Sequence, residues 1–369
     1  MVSSLRIIRF CALLFSLILC FIFFQTASAH GVTITEYNCN TMSCQPTGIT
    51  TGPDGNLWFT DSHLFNFPSG DNIIGKITPA GMVTVVSTLP ARLGIPRGVT
   101  AGPDGNLWFT AYNIVKITTN GVVTEYPIPT IPSGAHSITA GPDGNLWFTE
   151  WDGNKIGKIT TTGVLTEYAV PTNGGHPSGI TTGPDSNIWF TEDDGNKIGK
   201  ITTTGVLTEY TVPTNGSRPF GITAGPDGNI WFTEFNGNKI GKITTTGVLT
   251  EYTVPANGSH PNGITIGPDG NIWFTETFGN KIGRITTAGL ITEYPIPSAY
   301  SLPHGITAGP DGNIWFTESQ GGQIGKISDF QPTPPTSVPT MTEWGMIIFT
   351  TLAGLGSIYY LKGWLKIYK

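Results

Sequence analysis

Between Gly221 and Tyr252 apolar and polar residues alternate over short runs, and no window places apolar residues at helical spacing. Each run is bounded by a turn signal. Gly221-Ile222-Thr223-Ala224 enters Gly225-Pro226-Asp227-Gly228, where proline presets the first central position of a type I turn and glycine tolerates the exit. Residues 229–234, rich in β-branched and aromatic side chains, read as a second strand. Gly237-Asn238 then turns the chain into residues 239–244, and Thr246-Gly247 into residues 248–252. Ile230 and Phe232 fall on one face of the second strand and Trp231 on the other. Apolar groups on both faces predict a sheet packed between two neighbours.

This four-strand unit is written seven times, with its turn aspartate at Asp54, Asp104, Asp143, Asp185, Asp227, Asp269 and Asp311. The last five are 42 residues apart, and the first two intervals, 50 and 39, reflect an insertion around His63-Leu64-Phe65-Asn66-Phe67 and a deletion after Ala111. Four strands per repeat of roughly 40 to 45 residues is the size of a propeller blade. The expected fold is therefore all-β, a seven-bladed β-propeller of four-stranded blades. Blade seven runs from His304 through Ile327 and lacks a fourth strand, whereas Gly31-Val32-Thr33-Ile34-Thr35-Glu36-Tyr37 is an orphan fourth strand. Pairing it beside residues 324–327 would close the ring and remove exposed edges.

The ends of the chain have other compositions. Residues 1–29 carry Arg6 and Arg9, an apolar run over 10–24 and Ala27-Ser28-Ala29, the pattern of a signal peptide. Export to the periplasm or cell surface is expected, with the propeller over residues 30–330. Cys39 and Cys44 then remain close together in an exported chain, where a local disulfide is expected. Residues 331–340 hold four prolines and read as an extended linker. Residues 341–369 contain an apolar run, Met346 to Leu361, and end in Lys362, Lys366 and Lys369. With Val338-Pro339-Thr340-Met341 before it, this tail resembles bacterial Ile-Pro-Thr-Leu sorting signals. The resemblance implies a sorting transpeptidase of the exosortase type as partner and membrane attachment, at least transient, through the tail. A plain membrane anchor is the alternative, and on either reading the lysines stay cytoplasmic. Charged residues are 12% of the chain and the formal net charge is −6, which argues against nucleic-acid binding. A monomer is expected.

Propeller topology brings the start of every first strand and the end of every second strand to one mouth. The residue before Gly-Ile-Thr varies around that ring as Thr47, Arg97, His136, Ser178, Phe220, Asn262 and His304, and the preceding loops add His176, Arg218 and His260. Arg97, His136, Arg218, Phe220, His260 and Asn262 are the candidate ligand-binding residues. Second strands end in Asp61, Glu150, Glu192, Glu234, Glu276 and Glu318. Two readings of this acidic set stay open: a cation site, or carboxylates that accept hydrogen bonds from the next blade. Lys155, Lys197, Lys239 and Lys281 are read as solvated. The repeated tryptophans are read as wedges between blades, and the Gly-Pro-Asp-Gly aspartates as turn formers on the opposite face.

Gly-Ile-Thr, Leu/Ile-Trp-Phe-Thr-Glu, Asn-Lys-Ile-Gly-Lys/Arg-Ile-Thr and Thr-Glu-Tyr, repeated over residues 31–330, resemble the streptogramin B (virginiamycin B) lyases, seven-bladed propellers that open a cyclic depsipeptide antibiotic by elimination with magnesium. The resemblance implies that a histidine takes a proton α to a carbonyl, the metal holds the developing enolate, and the threonine oxygen leaves. Pro303-His304-Gly305-Ile306 matches the segment of the family's catalytic histidine, and Glu318 lies near the position of one metal-ligand glutamate. The family's other metal glutamate corresponds to Leu302, and its second histidine to Asn262, with His260 displaced by two residues. A peptide- or glycan-binding propeller without turnover is the alternative function.

Overall fold

A computed structural model of the chain describes residues 32–39, 44–61 and 72–328. The chain divides into Met1–Phe330 and Gln331–Lys369. The segments read as a signal peptide (residues 1–29), insertion (around residues 63–67), linker (331–340) and sorting tail (341–369) lie outside the described residues. Among those described, no helix is long and apolar enough to cross a membrane.

The described chain forms seven antiparallel sheets of four strands. In blade five these are Pro219–Ala224, Ile230–Glu234, Lys239–Ile243 and Leu249–Thr253, each pairing with the next in sequence. In blade seven the order is Thr33–Asn38, Gln323–Ser328, Ile314–Glu318, Pro303–Ala308, so the amino-terminal strand supplies the missing edge. Its register runs from Thr33 opposite Ser328 to Asn38 opposite Gln323. Cys39, directly after this strand, is disulfide-bonded to Cys44, with Cα atoms 6.1 Å apart.

Packing between blades follows from the two apolar faces. Trp231 of blade five is buried with Ile264, Ile272 and Phe274 of blade six, and Trp315 of blade seven is buried with Ile49, Leu57 and Phe59 of blade one. The seven second-strand tryptophans, Trp58, Trp108, Trp147, Trp189, Trp231, Trp273 and Trp315, are all fully buried wedges of this kind. In six blades a fourth-strand tyrosine stacks on the tryptophan, as Tyr252 does on Trp231 at 5.7 Å, whereas in blade one Val86 packs in the cluster of Trp58. The glycine opposite Phe232, Gly241, leaves the room its ring fills, because a Cβ there would collide with it.

Candidate functional site: the mouth of the central channel

First strands line the central channel, and their local irregularity aims side chains into it. In blade five the pairing of first and second strands shifts between Pro219 and Ile222, a bulge that contains Phe220 and Gly221. The same bulge holds Thr47, His136, Ser178, Asn262 and His304 in their blades. A bulge places two residues opposite one and so re-aims a side chain. A second-strand threonine then fixes each bulge across the blade boundary. Thr275 Oγ1 donates to the His304 carbonyl at 2.8 Å, Thr191 to Phe220 at 2.7 Å and Thr60 to Arg97 at 2.7 Å. Thr317 donates to the Thr47 carbonyl at 2.9 Å, completing the circle. Neighbouring first strands come so close that a Cβ on Gly263 would overlap the His304 carbonyl, which is why glycine follows the mouth residue in every blade but the third, where it is Ser137.

The seven mouth residues share one channel, and above it lies a cavity of about 370 Å³ bounded by Arg97, Gly134, His136, Trp151, Asp152, Phe220 and His304. Phe220 stands edge-on between the two imidazoles, with ring centroids 5.3 Å from His136 and 6.3 Å from His304. Desolvation and the Arg97 charge push the His304 imidazole down to about 4. The same causes, with His304 itself added, push His136 down to about 3. Both rings are therefore neutral bases at neutral pH. Asp152 and Tyr112 oppose the burial that lowers the Arg97 pKa.

An aromatic rim continues outward from this cavity. Trp151 stacks on His176 at 5.3 Å, and His176 Nδ1 lies 2.6 Å from Asp194 Oδ2. On the other side His260 sits between Phe235 and Phe278, at 4.8 and 4.9 Å, with Phe278 59% exposed. Arg218 does not line the cavity; its guanidinium donates bidentately to buried Asp193, at 2.6 and 2.7 Å. His176, Arg218, His260 and Leu302 all have left-handed φ values of 48 to 53° immediately before the bulge proline. That conformation is uncommon for non-glycine residues and marks the rim loops as conformationally constrained. Trp151, Asp152, Asp193, Phe235 and Phe278 escaped the sequence reading. They were accessible to it, because the one or two residues after each second strand vary as much as the mouth position does: Trp151-Asp152, Asp193-Asp194, Phe235-Asn236, Thr277-Phe278, Ser319-Gln320.

The strand-end glutamates are a correction. Glu150, Glu192, Glu234, Glu276 and Glu318 are at the expected end but fully buried, and none borders the channel or the cavity. Their carboxyl oxygens complete no hydrogen bonds among the described residues. Burial is the main cause that pushes Glu318 up to about 8, with Glu36 adding to it and nearby Ser301 acting against it. The repeated lysines are a second correction, since they are paired rather than solvated. Lys239 lies 2.7 Å from Glu251 of its own fourth strand, and Lys155, Lys197 and Lys281 repeat the pair. The inter-blade acceptor is this fourth-strand glutamate: Glu251 takes the Thr214 N–H at 2.9 Å.

The magnesium implied by the family resemblance does not fit these side chains. Leu302 offers no donor, Glu318 is outside the cavity, and no group of three or more His, Cys, Asp or Glu among the described residues is arranged to hold a metal ion.

The model of the Virginiamycin B lyase family matches residues 26–192 and 176–334. The chain belongs to this family. A solved streptogramin B lyase is 41% identical, covering 80% of this chain and 97% of its own, with a TM-score of 0.75. Virginiamycin B lyase from Staphylococcus aureus, solved as a catalytically inactive histidine-to-alanine variant with quinupristin, is 40% identical over 81% of this chain and all of its own, with a TM-score of 0.76. The WD40 propeller domain of Doa1, at 12% identity and a TM-score of 0.61, shares the fold alone. No curated protein matches the chain.

Proposed function

We propose that this family member binds a cyclic depsipeptide at the channel mouth and opens it by carbon–oxygen elimination, with His304 as general base. The observation that carries the reading is a neutral imidazole held in the cavity by the Pro303 bulge and the Thr275 bond to its carbonyl. The inactive histidine variant of the Staphylococcus aureus relative supports it. His304 would take the proton from a carbon α to a carbonyl and β to the ester oxygen. The electron pair forms a carbon–carbon double bond, the carbon–oxygen bond breaks, and the ester leaves as a carboxylate. No water is consumed. The aromatic rim formed by Trp151, Phe235 and Phe278 suits the aromatic and apolar surface of such a peptide.

The test is to incubate the full chain and His304→Ala with quinupristin and follow the product by mass spectrometry. The expected result is a linear product of unchanged mass from the wild type, and a loss on the order of 10²- to 10⁴-fold in the variant. A product heavier by one water would show hydrolysis instead. Binding with no product would favour the second reading, a peptide-binding propeller without turnover, which the unsuitability of Leu302 and Glu318 as metal ligands supports.

We also propose export of the chain and its attachment at the cell envelope through residues 341–369. The Cys39–Cys44 disulfide supports an oxidising compartment. Fractionation of producing cells should recover the chain with membranes or periplasm, and recovery from the cytosol alone would reject this placement.

A further inference from the structure

Elimination of an ester needs positive charge where the departing oxygen collects negative charge, and among the described residues no group of three or more His, Cys, Asp or Glu could hold a metal ion. We infer that Arg97 supplies that charge: its guanidinium receives the carboxylate that leaves when the ring ester breaks, so ring opening by this chain requires no divalent cation. The inference rests on the lyase reading of the same cavity.

Arg97 differs from every other described arginine. Arg92, Arg218 and Arg284 pair with Glu125 at 2.7 Å, Asp193 at 2.6 Å and Asp269 at 2.7 Å. Among the described residues Arg97 forms no ion pair and no side-chain hydrogen bond, although it is exposed within the cavity whose wall includes His136, His304 and Asp152. Its backbone, in contrast, is clamped on both sides. The Arg97 N–H donates to the Thr110 carbonyl at 2.9 Å, and its own carbonyl accepts from Thr60 at 2.7 Å. A held backbone carrying an unpaired guanidinium is a preorganised receiver for an anion. The planar fork of arginine matches a carboxylate bidentately, which lysine cannot do. Asp152 is the acidic group on the same wall and acts on Arg97 only at a distance, so the cation is partly balanced without being occupied.

The step balances without a co-reactant. His304 gains the proton, the former C–H pair becomes the double bond, and the C–O pair stays on the ester oxygen as the carboxylate held by Arg97. His304 then returns the proton to solvent. The result is one negative charge leaving between two positive ones.

The experiment compares the full-length wild type, Arg97→Ala and Arg97→Lys on quinupristin, each with a chelator and with added magnesium. Binding of hippurate, an aromatic acyl carboxylate, is measured in parallel by calorimetry. The expected result is wild-type ring opening that resists the chelator, a fall in kcat on the order of 10²- to 10³-fold in Arg97→Ala, partial recovery in Arg97→Lys, and hippurate affinity at least about tenfold weaker without the guanidinium. Equal melting temperatures of the three proteins would exclude unfolding as the cause. Opening that needs magnesium and survives in Arg97→Ala would overturn the inference while leaving the lyase reading in place. Absence of opening in the wild type under both conditions would overturn both, and hippurate binding would then show whether the cavity still receives an anion through Arg97.

Discussion

Six of the seven blades carry a carboxylate at either end of the second strand, blade two having Ala111 at the mouth end, and the two ends treat it in opposite ways. At the turn end, Asp227 accepts from the Trp231 indole at 3.0 Å and from Asn229 at 2.8 and 3.3 Å, with Lys242 3.9 Å away. Burial pushes its carboxyl up, but these hydrogen bonds outweigh burial and hold it below the usual range. At the mouth end, Glu234 is buried with neither oxygen in a well-formed hydrogen bond, and burial followed by the Glu251 charge pushes it up to about 8 against the weaker pull of Lys239 and nearby Ser217. The turn end is internally saturated in all blades, and the tryptophan that wedges the next blade is also the aspartate's donor. The mouth end differs in two places: the buried glutamates, which affect stability, and the cavity histidines and Arg97, whose side chains border the cavity. Two acidic sets from one repeat therefore do different work, and neither is the cation ring their number suggests.

Substitutions at the two ends should separate stability from function. The largest effect is expected from His304→Ala, which should abolish most ring opening while leaving the melting temperature close to wild type, because the side chain borders a cavity rather than a packed core. Next, Asp227→Ala should lower stability by roughly 2–3 kcal/mol through lost charge-assisted hydrogen bonds, measured by denaturant unfolding, with ring opening retained by the protein that remains folded.

Glu234→Gln tests the opposite end. A carboxyl whose folded pKa is near 8 against an ordinary 4.5 holds its proton more tightly when folded, so stability is fullest below pH 4.5 and declines as pH rises toward 8. Glu234→Gln should thus raise stability at pH 8.5 by about 1–3 kcal/mol and change little at pH 4; equal gains at both would show that the carboxyl is not held neutral. The smallest expected effect is on the pH profile of kcat/KM. Its acid limb should lie near pH 4, where His304 becomes charged, and Arg97→Ala should move that limb upward by removing the charge that disfavours imidazolium.

Much of the fold was legible in the chain because the signals are local and repeated. Turn chemistry at Gly225-Pro226-Asp227-Gly228, alternation through Ile230-Trp231-Phe232 and the unmatched strand ending at Tyr37 together specify blades, their number and the closure. The channel-mouth residues were legible as well, since a position that varies inside an otherwise constant repeat is released from the scaffold. Glu318 misled because reaching the correct end of a strand does not say which way a side chain turns. Pro303 opposite Glu318 puts that glutamate beside the bulge, and the bulge sends His304 into the channel while the glutamate stays buried. Arg218 misled for a similar reason, its charge being already taken by Asp193.

The order of apolar and polar residues, with its turns, determined by itself a ring of seven like sheets sewn shut by the amino-terminal strand, since hydrogen-bonded strands with two apolar faces have few other ways to bury both. Which polar side chains meet in the cavity, and which are buried or neutralised on the way, was decided only by the tertiary structure. That outcome depends on bulges, on threonine bonds across blade boundaries and on distances between charges from different repeats, none of which a single repeat contains.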